Sequence, residues 1–314
     1  MANDLYHGDI DIAAAPAAAG QSIAVIVNGG AGTGHDRELA GRVCALFAGH
    51  GLVAEVAVAH DGSGITAATQ AAVAQGARTV VAGGGDGTIN AVASVIVGSG
   101  IALGILPLGT LNHFAKDLGI PLALEDAVAL IARGRTRLVD VGEVNCRIFL
   151  NNSSLGLYPA IVRKREKQQR LGRGKWPAAL WATVSALRRY PFLKVQLRID
   201  GREVPRRTPF VFVGNNQYTM QGLSVGARTS LDQGQLCLYV AQNPGRLALL
   251  GFALRALVGR LAQARDFDVA LVQKLEIETH HTHLRVATDG EVSMLRTPLS
   301  YRVLPRALTV IAPD

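Results

Sequence analysis

The chain has 314 residues, a formal net charge of +8 and a hydrophobic fraction of 49%, which allow two ordinary domains around a substantial buried core. Its mean hydropathy is +0.23, and no stretch reaches the roughly 18 apolar residues that a spanning helix needs, so we expect a soluble or peripheral protein. The positive charge predicts an anionic partner, whereas an aromatic content of 5% is low for stacking on nucleic acid, which we therefore exclude.

The N-terminal composition and the cysteines indicate the compartment in which the protein works. Residues 1–20 mix acids with a run of Ala and Pro and lack the basic start and apolar core of a secretory signal, so we predict a disordered leader. Cys44, Cys146 and Cys237 are odd in number and far apart in sequence. This pattern argues against a disulfide framework and favours a reducing, cytoplasmic compartment.

Residues 21–138 alternate short apolar runs with stretches of helical periodicity. Such alternation predicts a Rossmann-like, mostly parallel sheet with helices on both faces, here expected to bind a nucleotide. The predicted strands cover residues 22–27, 53–59, 78–82 and 101–106, and the predicted helices cover residues 37–48, 65–75, 86–97, 110–118 and 124–132.

The pattern changes after residue 138, where strands dominate. The pattern predicts an antiparallel β-sandwich domain over residues 139–300. It also predicts a C-terminal segment over residues 301–314 that could return to the first domain. The predicted fold class is therefore α/β plus β. The predicted strands cover residues 139–144, 147–151, 194–199, 207–213, 235–240, 274–279, 284–287 and 301–304, and two helical insertions cover residues 176–189 and 246–265.

The strongest motif is a glycine-rich loop at the end of a predicted buried strand. Gly83-Gly84-Gly85 is followed at once by a predicted helix, so backbone N–H groups can approach a phosphate and the helix N-terminus adds positive potential. Asp86 would lie beside the phosphates, where it could hold Mg²⁺. The alternative is a plain strand–turn–helix corner. The candidate phosphate contacts are Gly84, Gly85, Asp86, Gly87, Thr88, Ile89 and Asn90.

Two further turns follow predicted strands of the same sheet. Leu106-Pro107-Leu108-Gly109-Thr110-Leu111-Asn112 closes the fourth strand, and Asn28-Gly29-Gly30 closes the first. The carboxyl ends of parallel strands line one crevice, so Thr110 and Asn28 are expected to face the same ligand as Asp86.

Two carboxylates flank a glycine near the C-terminus, in Asp289-Gly290-Glu291. On an extended chain they would point to one side, so that one could orient a group or a metal while the other accepts a hydroxyl proton during attack on phosphorus. The alternative is an exposed hairpin turn, in which Asp-Gly is common.

These motifs, with Asn152-Ser153-Ser154-Leu155-Gly156 between them, resemble the catalytic domains of the diacylglycerol kinase and sphingosine kinase family and are most similar to soluble bacterial lipid kinases. The resemblance implies an α/β domain that binds ATP with Mg²⁺, a β-rich domain that offers a lipid-binding surface, and transfer of the γ-phosphate to a lipid hydroxyl in phospholipid biosynthesis. It also implies that Gly84 to Asn90 and Thr110 contact nucleotide, and that Glu291 accepts the hydroxyl proton with help from Asp289 and Asp86.

The chain departs from the family pattern at four places. The stretch Val58-Ala59-His60-Asp61 lacks the Thr that often contacts ATP in the family, which leaves the contacts with adenosine open. Asn28-Gly29-Gly30-Ala31-Gly32 lacks the proline and serine usual in the first turn, and His113 replaces the acid that usually follows Asn112. Gln233 stands where the family's accessory Mg²⁺ loop has a second acid, which leaves that metal site open. Diacylglycerol, a sphingoid base, ceramide and a glycerophospholipid all stay open as acceptors.

Two other functions also stay open at this stage. An NAD kinase shares the Gly-Gly-Asp-Gly-Thr loop, although this chain has no Asn-Glu dipeptide of the kind that those enzymes use for the nicotinamide ribose. A non-catalytic module that binds lipid or nucleotide is the third reading.

A polybasic segment runs from Arg163 to Lys175 and leads into Trp176. This composition predicts contact with an anionic membrane, which would place the protein at the inner face as a peripheral protein. A solvated mobile loop is the alternative.

Overall fold

The structure is a computed structural model that describes residues 22–29, 35–156, 193–199, 201–221, 224–228, 230–241 and 267–313. None of the helices within these ranges is long and apolar enough to cross a bilayer. The two helical insertions predicted at residues 176–189 and 246–265, and the basic segment from Arg163 to Lys175, lie outside the described residues.

The first half of the chain alternates strands with helices. Its elements are β1 (Ser22–Asn28), α1 (His35–Gly49), β2 (Val53–Ala59), α2 (Gly62–Ala74), β3 (Thr79–Gly84), α3 (Asp86–Ile96), β4 (Ala102–Pro107), α4 (His113–Asp117) and α5 (Leu124–Arg133). The four strands pair in parallel in the order β2-β1-β3-β4. Helices α1 and α5 pack together on one face of this sheet and α2 and α3 on the other, which confirms the predicted α/β class.

Burial explains why these segments form these elements. Strand β3 is buried on both faces, with Val80 and Val81 inaccessible to solvent, as expected for a parallel strand covered by helices. Helix α5 buries one stripe, which includes Val128 and Ile131, and ends at Gly134 in the left-handed conformation (φ +69°) that favours glycine.

The second half consists of strands. These are β5 (Thr136–Val144), β6 (Arg147–Phe149), β7 (Asn152–Gly156), β8 (Leu193–Ile199), β9 (Arg202–Thr208), β10 (Phe210–Asn215), β11 (Tyr218–Gln221), β12 (Ser224–Arg228), β13 (Leu236–Ala241), β14 (Phe267–Val272), β15 (Lys274–Glu278), β16 (His283–Thr288), β17 (Glu291–Arg296) and β18 (Leu299–Ile311). Among the described residues, β14-β13-β10-β7-β16-β17 form an antiparallel six-stranded sheet. The predicted antiparallel second half is confirmed.

The core of the second half lies between this sheet and the antiparallel part of the first sheet. Phe149 of β6 and Tyr301 of β18 meet edge to face, with ring centroids 6.3 Å apart. The Tyr301 hydroxyl lies 3.1 Å from the Ser153 hydroxyl, so the buried phenol keeps a hydrogen-bond partner.

Strand β18 joins the two halves into one continuous sheet. It pairs in parallel with β4 and antiparallel with β5 and β15, so that the ten-stranded sheet seen in the described ranges continues as β4-β18-β15-β8-β9. Its bulge between Leu304 and Leu308 is held by Asp140, which accepts a hydrogen bond from the Arg306 N–H at 2.8 Å. Within the segment 301–314, Thr309 and Val310 therefore pair with β4 of the first half, while the domain boundaries stay predictions.

Three predicted elements differ from the structure. The predicted strand 207–213 is wrong because the chain passes from β9 in one sheet to β10 in the other at Pro209, which has no N–H for a ladder. The predicted strand 147–151 ends at Phe149. The predicted helix 110–118 begins only at His113, because Asn112 is left-handed (φ +49°). Strands β7, β9, β11, β12, β14 and β17 were not predicted.

Replacing Gly142 of β5 by alanine should destabilise the protein. A Cβ there would lie 2.3 Å from two ring atoms of Phe149, so the ring must leave its place in the core. Overpacking of this kind costs about 1–3 kcal/mol, which urea unfolding would measure. Gly41→Ala is the control, because a Cβ at this exposed position of α1 meets nothing within 4 Å. Equal stability of the two variants would contradict the packing account.

Candidate active site

The carboxyl ends of β1, β3 and β4 lie side by side in the sheet, although residues 30–34 of the turn predicted after β1 lie outside the described residues. The chain runs from β1 to β2 on one side and then to β3 on the other, so the strand order reverses between β1 and β3. Ligands of open α/β sheets bind in the crevice outside such a reversal. The Asn28 amide bridges this crevice by donating a hydrogen bond to the buried Thr88 hydroxyl at 3.2 Å.

The glycine loop and the Gly-Thr turn touch through their backbones. A Cβ on Gly109 would lie 2.4 Å from the Gly85 Cα atom, and a Cβ on Gly84 would lie 2.4 Å from the Thr88 hydroxyl oxygen. Glycine is therefore required at both turns for this approach. Gly85 is the N-cap of α3 and has no side chain that could accept a hydrogen bond from the helix. The first N–H groups of α3 therefore have no side-chain cap from Gly85 and face the crevice.

Asp86 binds the first turn of α4. Its two carboxylate oxygens accept hydrogen bonds from the backbone N–H groups of His113 at 3.1 Å and of Phe114 at 3.0 Å. Asn112 precedes that helix but turns its amide to the carbonyls of Pro107 and Gly109 instead. Asp86 thus fastens the glycine loop to the Gly-Thr turn, and its role towards Mg²⁺ stays a prediction.

Asp289 and Gly290 form the two-residue turn between β16 and β17. Their φ angles of +47° and +90° are those of a type I′ hairpin, so the hairpin alternative describes the backbone and the extended arrangement expected for Asp289 and Glu291 is wrong. The left-handed turn directs the two carboxylates to different neighbours.

Asp289 is half-buried, and its carboxylate accepts four hydrogen bonds. The donors are the backbone N–H groups of Leu150 at 2.7 Å, Asn151 at 2.8 Å and Asn152 at 3.0 Å, and the Asn90 amide at 2.5 Å. Burial raises the pKa of Asp289 above its ordinary value, and the four hydrogen bonds oppose that rise because they favour the charged form. Asp289 therefore links β7 and α3 rather than facing the crevice.

Glu291 lies directly beside the glycine loop. Gly87 is the second residue of α3. A Cβ built on Gly87 would lie 3.3 Å from one Glu291 carboxylate oxygen and would have no other neighbour within 4 Å. The Glu291 side chain is exposed. The hairpin thus places an accessible carboxylate next to the helix N-terminus at which a phosphate would bind.

The other predicted contacts have different environments. Thr110 is exposed at the end of β4. Ile89 is fully buried in the core, so only its backbone could contact a ligand. Asn90 is engaged by Asp289. The structure brings Asn28, the glycine loop and Glu291 to one crevice.

The family's accessory Mg²⁺ loop is held here by hydrogen bonds. Asp140 accepts one from the Gly234 N–H at 2.6 Å, and the Asn216 amide oxygen accepts one from the Gln233 N–H at 3.2 Å. Asp232 accepts from the Ser230 hydroxyl. Within the described ranges, no group of three or more His, Cys, Asp or Glu side chains could hold a metal ion.

An ion pair that sequence analysis missed lies behind the site. Arg228 of β12 and Asp117 of α4 are buried and joined at 2.7 Å. Nothing in the sequence distinguishes Arg228 among the 32 lysines and arginines, and the pair joins segments that are distant along the chain.

Comparisons with known proteins agree with this geometry. Residues 22–144 match the diacylglycerol kinase catalytic domain, and residues 155–312 match the YegS C-terminal NAD kinase beta sandwich-like domain. A diacylglycerol kinase of Mycobacterium tuberculosis is 27% identical over 296 residues, which cover 88% of this chain and 93% of that protein. An uncharacterized Synechocystis protein, sll0036, is 26% identical over 244 residues, but the match spans 56% of its length and 76% of this chain.

A solved structure agrees in fold. A crystal structure of a Bacillus anthracis protein that is assigned to the diacylglycerol kinases aligns with this chain at a TM-score of 0.73 and 23% sequence identity. The alignment covers 94% of this chain and 98% of the Bacillus anthracis chain. At that identity the likeness shows the fold alone. The two domain matches together span nearly all of the described residues. This chain therefore belongs to the diacylglycerol kinase and YegS family of lipid kinases.

Proposed function

We propose that the chain transfers the γ-phosphate of ATP to the hydroxyl group of a diacylglycerol-type or related lipid. The observation that carries this proposal is the position of the Glu291 carboxylate beside Gly87, at the N-terminus of the helix that follows the glycine loop. A phosphate donor and a proton acceptor are then neighbours in one crevice, as transfer to an alcohol requires.

The phosphates of ATP would lie over the glycine loop. Gly85 and Gly109 leave room there for backbone N–H groups to approach an anion, and the positive end of the α3 dipole favours negative charge. Mg²⁺, carried mainly by the phosphate oxygens, would neutralise charge that develops during transfer. Asn28 and Thr88 would close the side of the crevice towards β1.

Glu291 would act as the general base. Its exposed carboxylate accepts the proton of the lipid hydroxyl as the oxygen attacks the γ-phosphorus, and ADP leaves on the opposite side. Asp289 serves a different purpose, because its oxygens are occupied by four donors and fix the hairpin that carries Glu291.

The acceptor lipid requires that the protein work at a membrane surface. The net charge of +8 supports a peripheral approach to an anionic, cytoplasmic membrane face. A role in phospholipid biosynthesis follows if diacylglycerol is the acceptor. Transfer of labelled phosphate from ATP to a panel of diacylglycerol, sphingoid base, ceramide and glycerophospholipid tests the proposal, and the absence of any labelled lipid would favour a non-catalytic binding module.

Glu291→Gln should lower kcat for lipid phosphorylation by about 100- to 10,000-fold, because the variant keeps the shape but loses the base. Thermal denaturation should change little, since Glu291 is exposed. Glu55→Gln, at an exposed position on β2, is the matched control and should keep full activity. Full activity of Glu291→Gln would remove this residue from the chemistry.

Asp86→Ala should lose both stability and activity. The variant leaves two N–H groups of α4 without their acceptor, a loss that costs about 0.5–2 kcal/mol in chemical unfolding. Asn145→Gly removes three hydrogen bonds at the β5–β6 turn without changing the crevice, so it should lose stability and keep activity. If Asp86→Ala keeps full kcat, Asp86 is only a structural cap.

A further inference from the structure

Arg228 is a buried cation with a single buried counter-ion. Its side chain is 0% exposed, and its Nε–H donates to the Asp117 carboxylate, which is 9% exposed, at 2.7 Å. Removing either partner would leave an uncompensated buried charge. Asp117 is the last residue of α4, where the helix dipole disfavours an acid, so the pairing with Arg228 offsets an otherwise unfavourable position.

The rest of the guanidinium group binds two backbone carbonyls and one side-chain amide. One terminal nitrogen donates to the carbonyl oxygens of Leu150 at 2.6 Å and of Asn215 at 3.1 Å, and the other donates to the Asn151 side-chain oxygen at 2.8 Å. The guanidinium carbon also lies over the rings of Phe114 and Tyr218. The planar fork of arginine supplies donors in several fixed directions, so lysine would lose part of this set of hydrogen bonds.

The backbone of residues 150–152 carries Asp289 on its other side. The carbonyl of Leu150 points at Arg228, while the N–H groups of residues 150–152 point at the Asp289 carboxylate. The peptide group between Leu150 and Asn151 thus directs its oxygen at the buried Arg228 cation and its N–H at the Asp289 carboxylate. Each charge stabilises the orientation that the other requires.

These contacts form a closed path around the crevice. Asp86 at the glycine loop holds the start of α4, Asp117 at its end binds Arg228, and Arg228 binds Leu150 and Asn151. Those residues hold Asp289, and Asp289 binds Asn90 on α3, the helix that follows the glycine loop. Glu291 lies two residues beyond Asp289 on the same hairpin.

We propose that Arg228 is a positioning residue for phosphoryl transfer: it clamps Leu150 and Asn151 against Asp117, and so fixes the hairpin that holds Glu291 beside Gly87. This inference rests on the proposed function for its kinetic consequence. The clamp itself is a statement about backbone order that can be measured without any substrate.

The kinetic test compares Arg228→Lys and Asp117→Asn with the unaltered protein, well below their melting temperatures. Each should lower kcat by about 10- to 100-fold, since a small misplacement of a reacting group has that effect, with a smaller change in KM for ATP. Arg302→Lys is the matched control, because Arg302 makes a two-point pair with Glu143 but is 53% exposed, and it should leave kcat unchanged. If Arg228→Lys does not fold, Asp117→Asn carries the test.

A second comparison separates positioning from mere stability. Arg228→Lys is also made in the Glu291→Gln background, and the residual rate is measured. A residue that acts through Glu291 has little further effect once the base is gone, whereas loss of folded protein would lower both rates by the same factor. Equal factors in the two backgrounds would overturn the proposal.

Hydrogen exchange gives the answer that does not depend on activity. In folded Arg228→Lys, the amides of residues 150–152 should exchange faster than in the unaltered protein, while those of β1 and β3 should not change. Unchanged exchange at residues 150–152 would refute the clamp. If the unaltered protein phosphorylates no lipid, the proposed function fails, and exchange still decides whether Arg228 orders this backbone.

Discussion

The hydrogen-bonded carboxylate of Asp289 is the group on which the geometry of the site depends. Partial loss of solvent is costly for a charged group, and it is tolerated here because three consecutive backbone N–H groups and the Asn90 amide donate to it. Its donors come from both halves of the chain, so the carboxylate joins the helix after the glycine loop to the strands of the sandwich. Glu291 owes its place beside Gly87 to that junction.

Close backbone approach is the second constraint. Gly85 and Gly109 let two turns from different strands touch, which no residue with a Cβ could permit at Gly109 without a shift of the backbone. The approach draws α4 towards the loop, where Asp86 can cap it. The residues that give the crevice its shape are therefore also those that give the loop its capacity to bind an anion.

Strand β18 makes the two halves one structural unit. Because it pairs with β4 at one end and with β15 at the other, movement of the sandwich relative to the α/β half would break ladder hydrogen bonds. The hairpin that carries Glu291 belongs to the second sheet, and its position relative to the loop is held by side chains rather than by a ladder. This arrangement explains why buried polar contacts are concentrated around residues 150–152.

Local chemistry alone was enough to predict the α/β half, because apolar runs, helical periodicity and glycine turns depend on neighbouring residues. The resemblance of Asp289-Gly290-Glu291 to the family motif, rather than local chemistry, indicated that Glu291 is a candidate proton acceptor. The separate environments of these two carboxylates depend on a left-handed turn whose partners lie far away in sequence, so tertiary structure alone decided that Asp289 is half-buried among four donors and Glu291 is exposed. The Arg228–Asp117 pair was invisible for the same reason, since a buried ion pair is defined by the burial and the distance that only the folded chain creates.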